Sequence, residues 1–187
     1  MSTVVGLAGP IAAGKTTIAL ELATELGTPC VSFGDAVRRV AFERSLPTDR
    51  ATLQDLGEEL IESGWEPFCR AVLAQAPWRP GQSLIIDGIR HLGAITTLRR
   101  LVAPSLLAIV FLEVSAEARR ERLAARGTTQ QETLVADDHR SEVELRSVRE
   151  AADLVLPDTV DPRQTIARLC RSILDLGQRP DRPAGPS

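Results

Sequence analysis

The chain has 187 residues, 43 % hydrophobic and 25 % charged, with a formal net charge of −3; these are the proportions of one soluble globular domain with a sizeable core. The acidic balance argues against a broad nucleic-acid footprint, leaving at most a local arginine-lined cleft, and 3 % aromatic residues with no tyrosine offer few stacking platforms. No stretch reads as a membrane span or leader, so a cytoplasmic setting is expected. Cys30, Cys69 and Cys170 are scattered without C-x-x-C spacing, which argues against a disulfide framework or metal site and for small buried hydrophobes.

The first apolar run, Val4 to Ala8, leads into Gly9-Pro10-Ile11-Ala12-Ala13-Gly14-Lys15-Thr16, and helical spacing continues from Thr17. This is the phosphate-loop pattern G-x-x-x-x-G-K-[ST] in its proper strand–loop–helix setting. Glycines let the backbone approach an anion, and the helix N-terminus adds partial positive charge. Gly9, Ala12, Ala13, Gly14, Lys15, Thr16 and Thr17 are therefore candidate nucleotide-binding residues, with Thr16 the expected Mg²⁺ ligand. Lys15 is the only lysine in the chain. In a composition that otherwise uses arginine, its survival here marks a chemical requirement: a compact ammonium reaches between phosphates where a planar guanidinium is too bulky.

A second apolar run, Pro29 to Phe33, is followed by an insert from Asp35 to Pro80, longer than a crossover needs. It reads as two or three helices broken at Pro47 and around Gly64-Trp65, placed to cap the carboxyl ends of the strands. Asp35 at the strand end is either a carboxylate working on an acceptor or the N-cap of a helix starting at Ala36. Arg38 lies on the adjacent turn, and Arg50 and Gln54 share a helical face from which they could read a base or phosphate. Leu53, Leu56, Leu60, Ile61 and Trp65 read as core.

The third run, Leu84 to Ile86, ends in Asp87-Gly88-Ile89-Arg90. Asp87 is either a metal carboxylate or the start of an Asp-Gly turn, and Arg90 either a phosphate fork or a helix-capping cation. After the fourth run, Leu106 to Phe111, comes Glu121-Arg122-Leu123-Ala124-Ala125-Arg126-Gly127. Arg122 and Arg126 share a face, although Arg119 and Arg120 nearby suggest a merely solvated one. The polar stretch 127–143 reads as a short lid without cysteines for zinc; in it Arg140 would either close over phosphates or belong to a solvated helix start. His91 and His139 read as hydrogen-bonding residues. The fifth run, Leu154 to Leu156, completes an α/β alternation that predicts a five-stranded parallel sheet in an α/β/α three-layer fold. Residues 1–177 form the domain and 178–187 a flexible Pro/Gly/Arg tail.

In order and spacing the loop, Ser32-Phe33-Gly34-Asp35-Ala36-Val37-Arg38, Leu84 to Arg90 and Glu121 to Gly127 resemble the small P-loop kinases of the nucleoside monophosphate kinase and dephospho-CoA kinase group, over roughly residues 3–175. Thr52 to Leu60 with Trp65 resembles the acceptor-side helices of deoxynucleoside monophosphate kinases and related phage nucleotide or DNA-base kinases. The third-strand patch is shortened, lacks the proline common in adenylate kinases and is followed by His91. The resemblance implies ATP and Mg²⁺ as cofactors, Asp87 as the Walker B carboxylate, Arg122 against the donor base and Arg126 on the transferred charge. It further implies Asp35 orienting or deprotonating an acceptor, with Arg38 and Arg90 on that acceptor. Phosphate and hydroxyl acceptors both remain open, the latter including dephospho-CoA, a nucleoside or a hydroxymethylpyrimidine in DNA. A non-kinase NTP-binding regulatory ATPase is the alternative of another class, but a GTPase-type N-K-x-D segment is absent.

Overall fold

The computed structural model describes residues 2–125, 139–158, 164 and 169, without the side chains of 139–143. Five strands form one parallel sheet: β1 (Thr3–Ala8), β2 (Cys30–Ser32), β3 (Leu84–Ile89), β4 (Leu106–Leu112) and β5 (Leu154–Leu156), in the order β2-β3-β1-β4-β5. Each coincides with an expected apolar run. Every residue of β1 is buried, as a central parallel strand covered on both faces requires. Alternation splits the core in two. Val4 and Ala8 join Ile86, Ile109 and Phe111 on one face, whereas Val5 and Leu7 join Ile85, Val110 and Leu112 on the other.

Helix α1 (Lys15–Leu26) closes the second face through Ile18 and Leu22. On the first lie α4 (Trp65–Leu73) and α5 (Leu92–Leu101), through Phe68, Val72, Ile95 and Leu98. Helices on both faces make the expected three layers. Gly6 permits close packing on the first face, where an added Cβ would stand 2.5 Å from Ile89 Cδ1 and 2.8 Å from Ile109 Cδ1.

The insert folds as α2 (Phe33–Glu43), α3 (Arg50–Glu62) and α4, interrupted around Pro47 and at Gly64, whose φ is 115°. Its start differs from expectation. Helix α2 begins at Phe33, because the Ser32 hydroxyl accepts the Asp35 N–H at 3.3 Å, so Ser32 is the N-cap and the capping role considered for Asp35 is excluded. Asp49 likewise caps α3 by accepting from the Thr52 N–H at 3.1 Å. Trp65 packs on Gly93 of α5, where a Cβ would lie 2.1 Å from the indole Nε1. An α4–α5 bridge from Glu66 to Arg100 at 2.6 Å fixes that pair from outside.

Two further helices, α6 (Ala116–Ala125) and α7 (His139–Glu150), flank the expected lid. Residues 127–138 of that lid, and the tail 178–187, lie outside the described residues. Among the described residues no helix is long and apolar enough to cross a membrane.

Cys69 is buried and Cys30 half-buried; Cys170 lies outside the described residues. Burial pushes the Cys69 thiol up to about 12, and burial with the nearby Asp87 and Asp35 charges pushes Cys30 up to about 11. Both stay protonated well into the alkaline range. At about pH 8, iodoacetamide should therefore label these two only slowly in the folded protein and promptly in denaturant, as peptide mapping would show. Rapid native labelling of Cys69 would contradict its burial.

Candidate active site

The phosphate loop leaves β1 by an unusual backbone route. Gly9 has φ of 137°, and a Cβ there would sit 2.4 Å from the Leu112 carbonyl oxygen of β4, so only glycine lets the chain pass this close. Ala12 (φ 65°) and Gly14 (φ 86°) then take left-handed conformations, which for the alanine costs about 1 kcal/mol. Gly14 precedes α1 with no side-chain cap, which leaves the helix's first N–H groups facing the loop. Ala13 is buried in the second core cluster and anchors the turn from below.

Lys15, 7 % exposed, stretches back across the loop and donates from Nζ to the Gly9 carbonyl at 2.8 Å and the Pro10 carbonyl at 2.6 Å. Thr16, on the first turn of α1, donates from Oγ1 to Asp87 Oδ2 at 2.7 Å. The register of β3 explains that meeting. Leu7 pairs with Asp87 but Ala8 with Ile89, so Gly88 (φ 89°) is an extra residue in a bulge at the strand's end. Asp87 pairs with Leu7 just before that bulge and so lies near the end of β1, beside the loop. It is an internal strand residue and not the start of a terminal turn, and it is 5 % exposed.

Asp87 Oδ1 is buried and accepts no hydrogen bond. An anionic oxygen left this way is costly unless a cation meets it. A threonine hydroxyl and one carboxylate are the hard oxygen donors that Mg²⁺ takes from a protein when phosphates and water complete its shell. The residues present fit the ion.

A cavity of about 580 Å³ runs from this group to α2, α3 and α4. Arg38 of α2, Arg50 and Gln54 of α3, and Arg90 after β3 all line it, as do Lys15, Thr16, Thr17 and Asp87. Arg90 is walled by protein on most sides, although solvent within the cleft reaches its side chain. Desolvation lowers its pKa first, the Arg50 and Arg119 charges lower it further, and Asp87 opposes them. Three guanidiniums are thus gathered within reach of one another, in a cavity that Asp87, Glu58 and Glu144 also line, and their forks suit an anion's oxygens.

Asp35 behaves differently from its neighbours. Its side chain is 64 % exposed, Oδ1 accepts from Arg38 Nη1 at 2.5 Å, and the residue does not line the cavity. Arg122 does not line it either; it grips the loop, donating to the Ala12 carbonyl at 3.1 Å and to Asp158 Oδ1 at 2.8 Å. Arg126 lies outside the described residues. Arg140 is in α7, but its side chain is outside the description.

Several cavity residues escape the sequence reading. Arg119, which reads as part of a solvated face, lines the cavity; its spacing of three from Arg122 was the available signal. Leu53 and Trp65, read as core, are half-buried cavity walls. His91 Nδ1 meets the Glu144 carboxylate, and its ring lies 5.2 Å from that of Trp65, so α7 is tied to the same wall. No spacing in the sequence announces that pairing.

Comparison with known proteins gives a concordant picture. The chain is 27 % identical to a dephospho-CoA kinase of Mannheimia succiniciproducens over 200 aligned positions, covering 96 % of this chain and 92 % of the relative. It is 30 % identical to a UPF0200 protein of Thermococcus kodakarensis, covering 66 % of this chain and 68 % of the relative. The shikimate kinase structure from Aquifex aeolicus superposes with a TM-score of 0.59 at 15 % identity, covering 94 % of this chain and 99 % of that one, a likeness of fold alone. The AAA_18 family model, an AAA domain, matches residues 5–146. With the phosphate loop, the Thr16–Asp87 pair and strands β2 to β4 inside that matched region, the chain belongs to the AAA_18 family and has the fold of a small P-loop kinase.

Proposed function

We propose that this P-loop kinase transfers the γ-phosphoryl group of ATP to a phosphate on a nucleotide-like acceptor. The observation that carries the reading is that Lys15, Thr16 and Asp87 share a cavity with Arg38, Arg50, Arg90 and Arg119. Bidentate guanidinium forks suit phosphate oxygens. Phe33, Trp65 and Phe68 give the same space an aromatic wall for a planar group, and Gln54 offers an amide to read its edge.

In this reading an acceptor phosphate oxygen forms the new P–O bond to the γ-phosphorus as the bond to the β–γ bridging oxygen breaks, releasing ADP. The acceptor is already anionic, so no strong base is needed, and catalysis rests on positioning and charge. Lys15 moves from its loop carbonyls to the donor phosphates, the N–H groups at the start of α1 hold them, and the arginines draw the acceptor into line. Mg²⁺ on Thr16 and Asp87 would supply charge neutralisation on the donor phosphates. Arg122 serves the donor base end, while Arg126 and Arg140, on either side of residues 127–138, are proposed to close over the transferred group and exclude water.

A hydroxyl acceptor is the second reading, favoured by similarity to a dephospho-CoA kinase along 96 % of the chain. It requires Asp35 to exchange Arg38 for the acceptor hydroxyl and take its proton. An acceptor screen with labelled ATP, spanning nucleoside monophosphates, nucleosides, dephospho-CoA and hydroxymethylated DNA, tests both. With a phosphate acceptor, Arg90→Ala should raise acceptor KM about tenfold or more while Asp35→Asn leaves kcat within about threefold. A ~10²-fold fall in kcat for Asp35→Asn, with little change in KM, would instead select the hydroxyl. ATP hydrolysis without transfer to any acceptor would count against both.

A further inference from the structure

Asp158 follows Pro157 just past β5, and no sequence motif includes it. Its carboxylate has two sets of partners. Oδ1 accepts from Arg122 Nη2 at 2.8 Å, while Oδ2 accepts from the Ser115 N–H at 3.1 Å and the Ser115 hydroxyl at 3.3 Å. The Ser115 hydroxyl in turn accepts the Ala118 N–H at 3.2 Å, capping α6, the helix that carries Arg122. One carboxylate, with its side chain 16 % exposed, therefore fixes both the root of α6 and the fork further along it.

Through that fork it reaches the phosphate loop. The other amino group of Arg122 donates to the carbonyl of Ala12 at 3.1 Å, and Ala12 is the non-glycine residue of the loop at φ 65°. A loop of this kind receives phosphate through backbone N–H groups, and a carbonyl turned toward the anion would repel it. A carbonyl held by Arg122 is withheld from that orientation. An arginine that is 41 % exposed on a flexible stem keeps this position only if its other end is held as well, since each free rotamer dilutes the competent one.

We propose that Asp158 is a positioning residue of the donor site: it acts through Arg122 to keep the phosphate loop in its binding conformation and the guanidinium at the base end of the nucleotide. The inference rests on reading the loop as the ATP site, and it assigns to the C-terminal edge of the sheet a share in donor affinity. Asp158 itself need not touch ATP.

The test is calorimetric titration of the full chain with MgATP. Asp158→Ala and Arg122→Ala should each weaken binding about tenfold, and the double variant should be no weaker than the worse single one, because both changes cut the same chain of contacts. Asp158→Asn has one carbonyl oxygen, which can still accept from Ser115, but its NH2 then meets Arg122 donor to donor, so it should recover thermal stability without recovering the full affinity. Should the alanine variant fail to fold, the asparagine variant carries the comparison. Arg149→Gln breaks the 2.8 Å pair with Glu113 at the end of β4 and is expected to leave Kd unchanged. A folded Asp158→Ala or Asp158→Asn protein with wild-type Kd, or losses that add in the double variant, would overturn the inference while leaving the ATP site intact. Failure of the wild-type chain to bind MgATP would overturn the site reading and this inference together.

Discussion

Lys15→Ala is expected to reduce phosphoryl transfer by about 10²- to 10³-fold, the scale of removing one preorganised charge from a developing transition state. Lys15→Arg should fail as well. The ammonium lies 2.8 Å from one loop carbonyl and 2.6 Å from the next, a space made for a compact donor. A planar guanidinium would push against Gly9 and Pro10, and the loop has little freedom to yield because Gly9 already passes against the Leu112 carbonyl. Steady-state kinetics of both variants, with MgATP affinity measured separately, checks this. Wild-type turnover in Lys15→Arg would refute the claim that the sole lysine marks a steric and electrostatic requirement.

Asp87→Asn should lower transfer by a comparable factor, about 10²-fold or more, because a neutral amide replaces the carboxylate that accepts from Thr16. The same substitution separates metal binding from folding. MgATP binds only the folded state, so at a hundredfold excess over Kd it stabilises the wild-type chain by about 2.7 kcal/mol and raises the thermal midpoint. A chelator should remove the Mg²⁺-dependent part of that gain and leave the nucleotide-free midpoint in place. In Asp87→Asn the Mg²⁺-dependent part should be missing from the outset, with the nucleotide-free protein still folded. A variant that kept the full Mg²⁺-dependent rise would show that the buried, partnerless Oδ1 is not the metal's ligand.

The five strands were legible because a parallel sheet covered on both faces demands uninterrupted apolar runs, and Val4 to Ala8 or Leu106 to Phe111 can be little else. The phosphate loop was legible because anion binding by backbone imposes glycines and one cation at fixed spacing. Boundaries governed by local competition were less clear. Ser32 takes the helix N-cap one turn earlier than Ala36 suggests, since Ser32 and Asp35 could both have served and the Ser32 hydroxyl is the one that accepts a helix N–H.

The single lysine, the loop pattern and the order of apolar runs therefore determined a nucleotide-phosphate site on a three-layer α/β fold from sequence alone, because these are local constraints along one stretch of backbone. Tertiary structure decided which distant side chains share a space. Strand register pairs Asp87 with Leu7 and sets it against Thr16, and the placement of α3 and α6 brings Arg50 and Arg119 within Coulombic reach of Arg90. Asp35, adjacent in sequence to the rest of the site, turns outward to Arg38, whereas Asp158, remote from every motif, is held against Arg122. Such pairings depend on strand register and helix placement, which arise from burying the whole apolar surface together and so leave no periodic trace in the neighbourhood of any one residue.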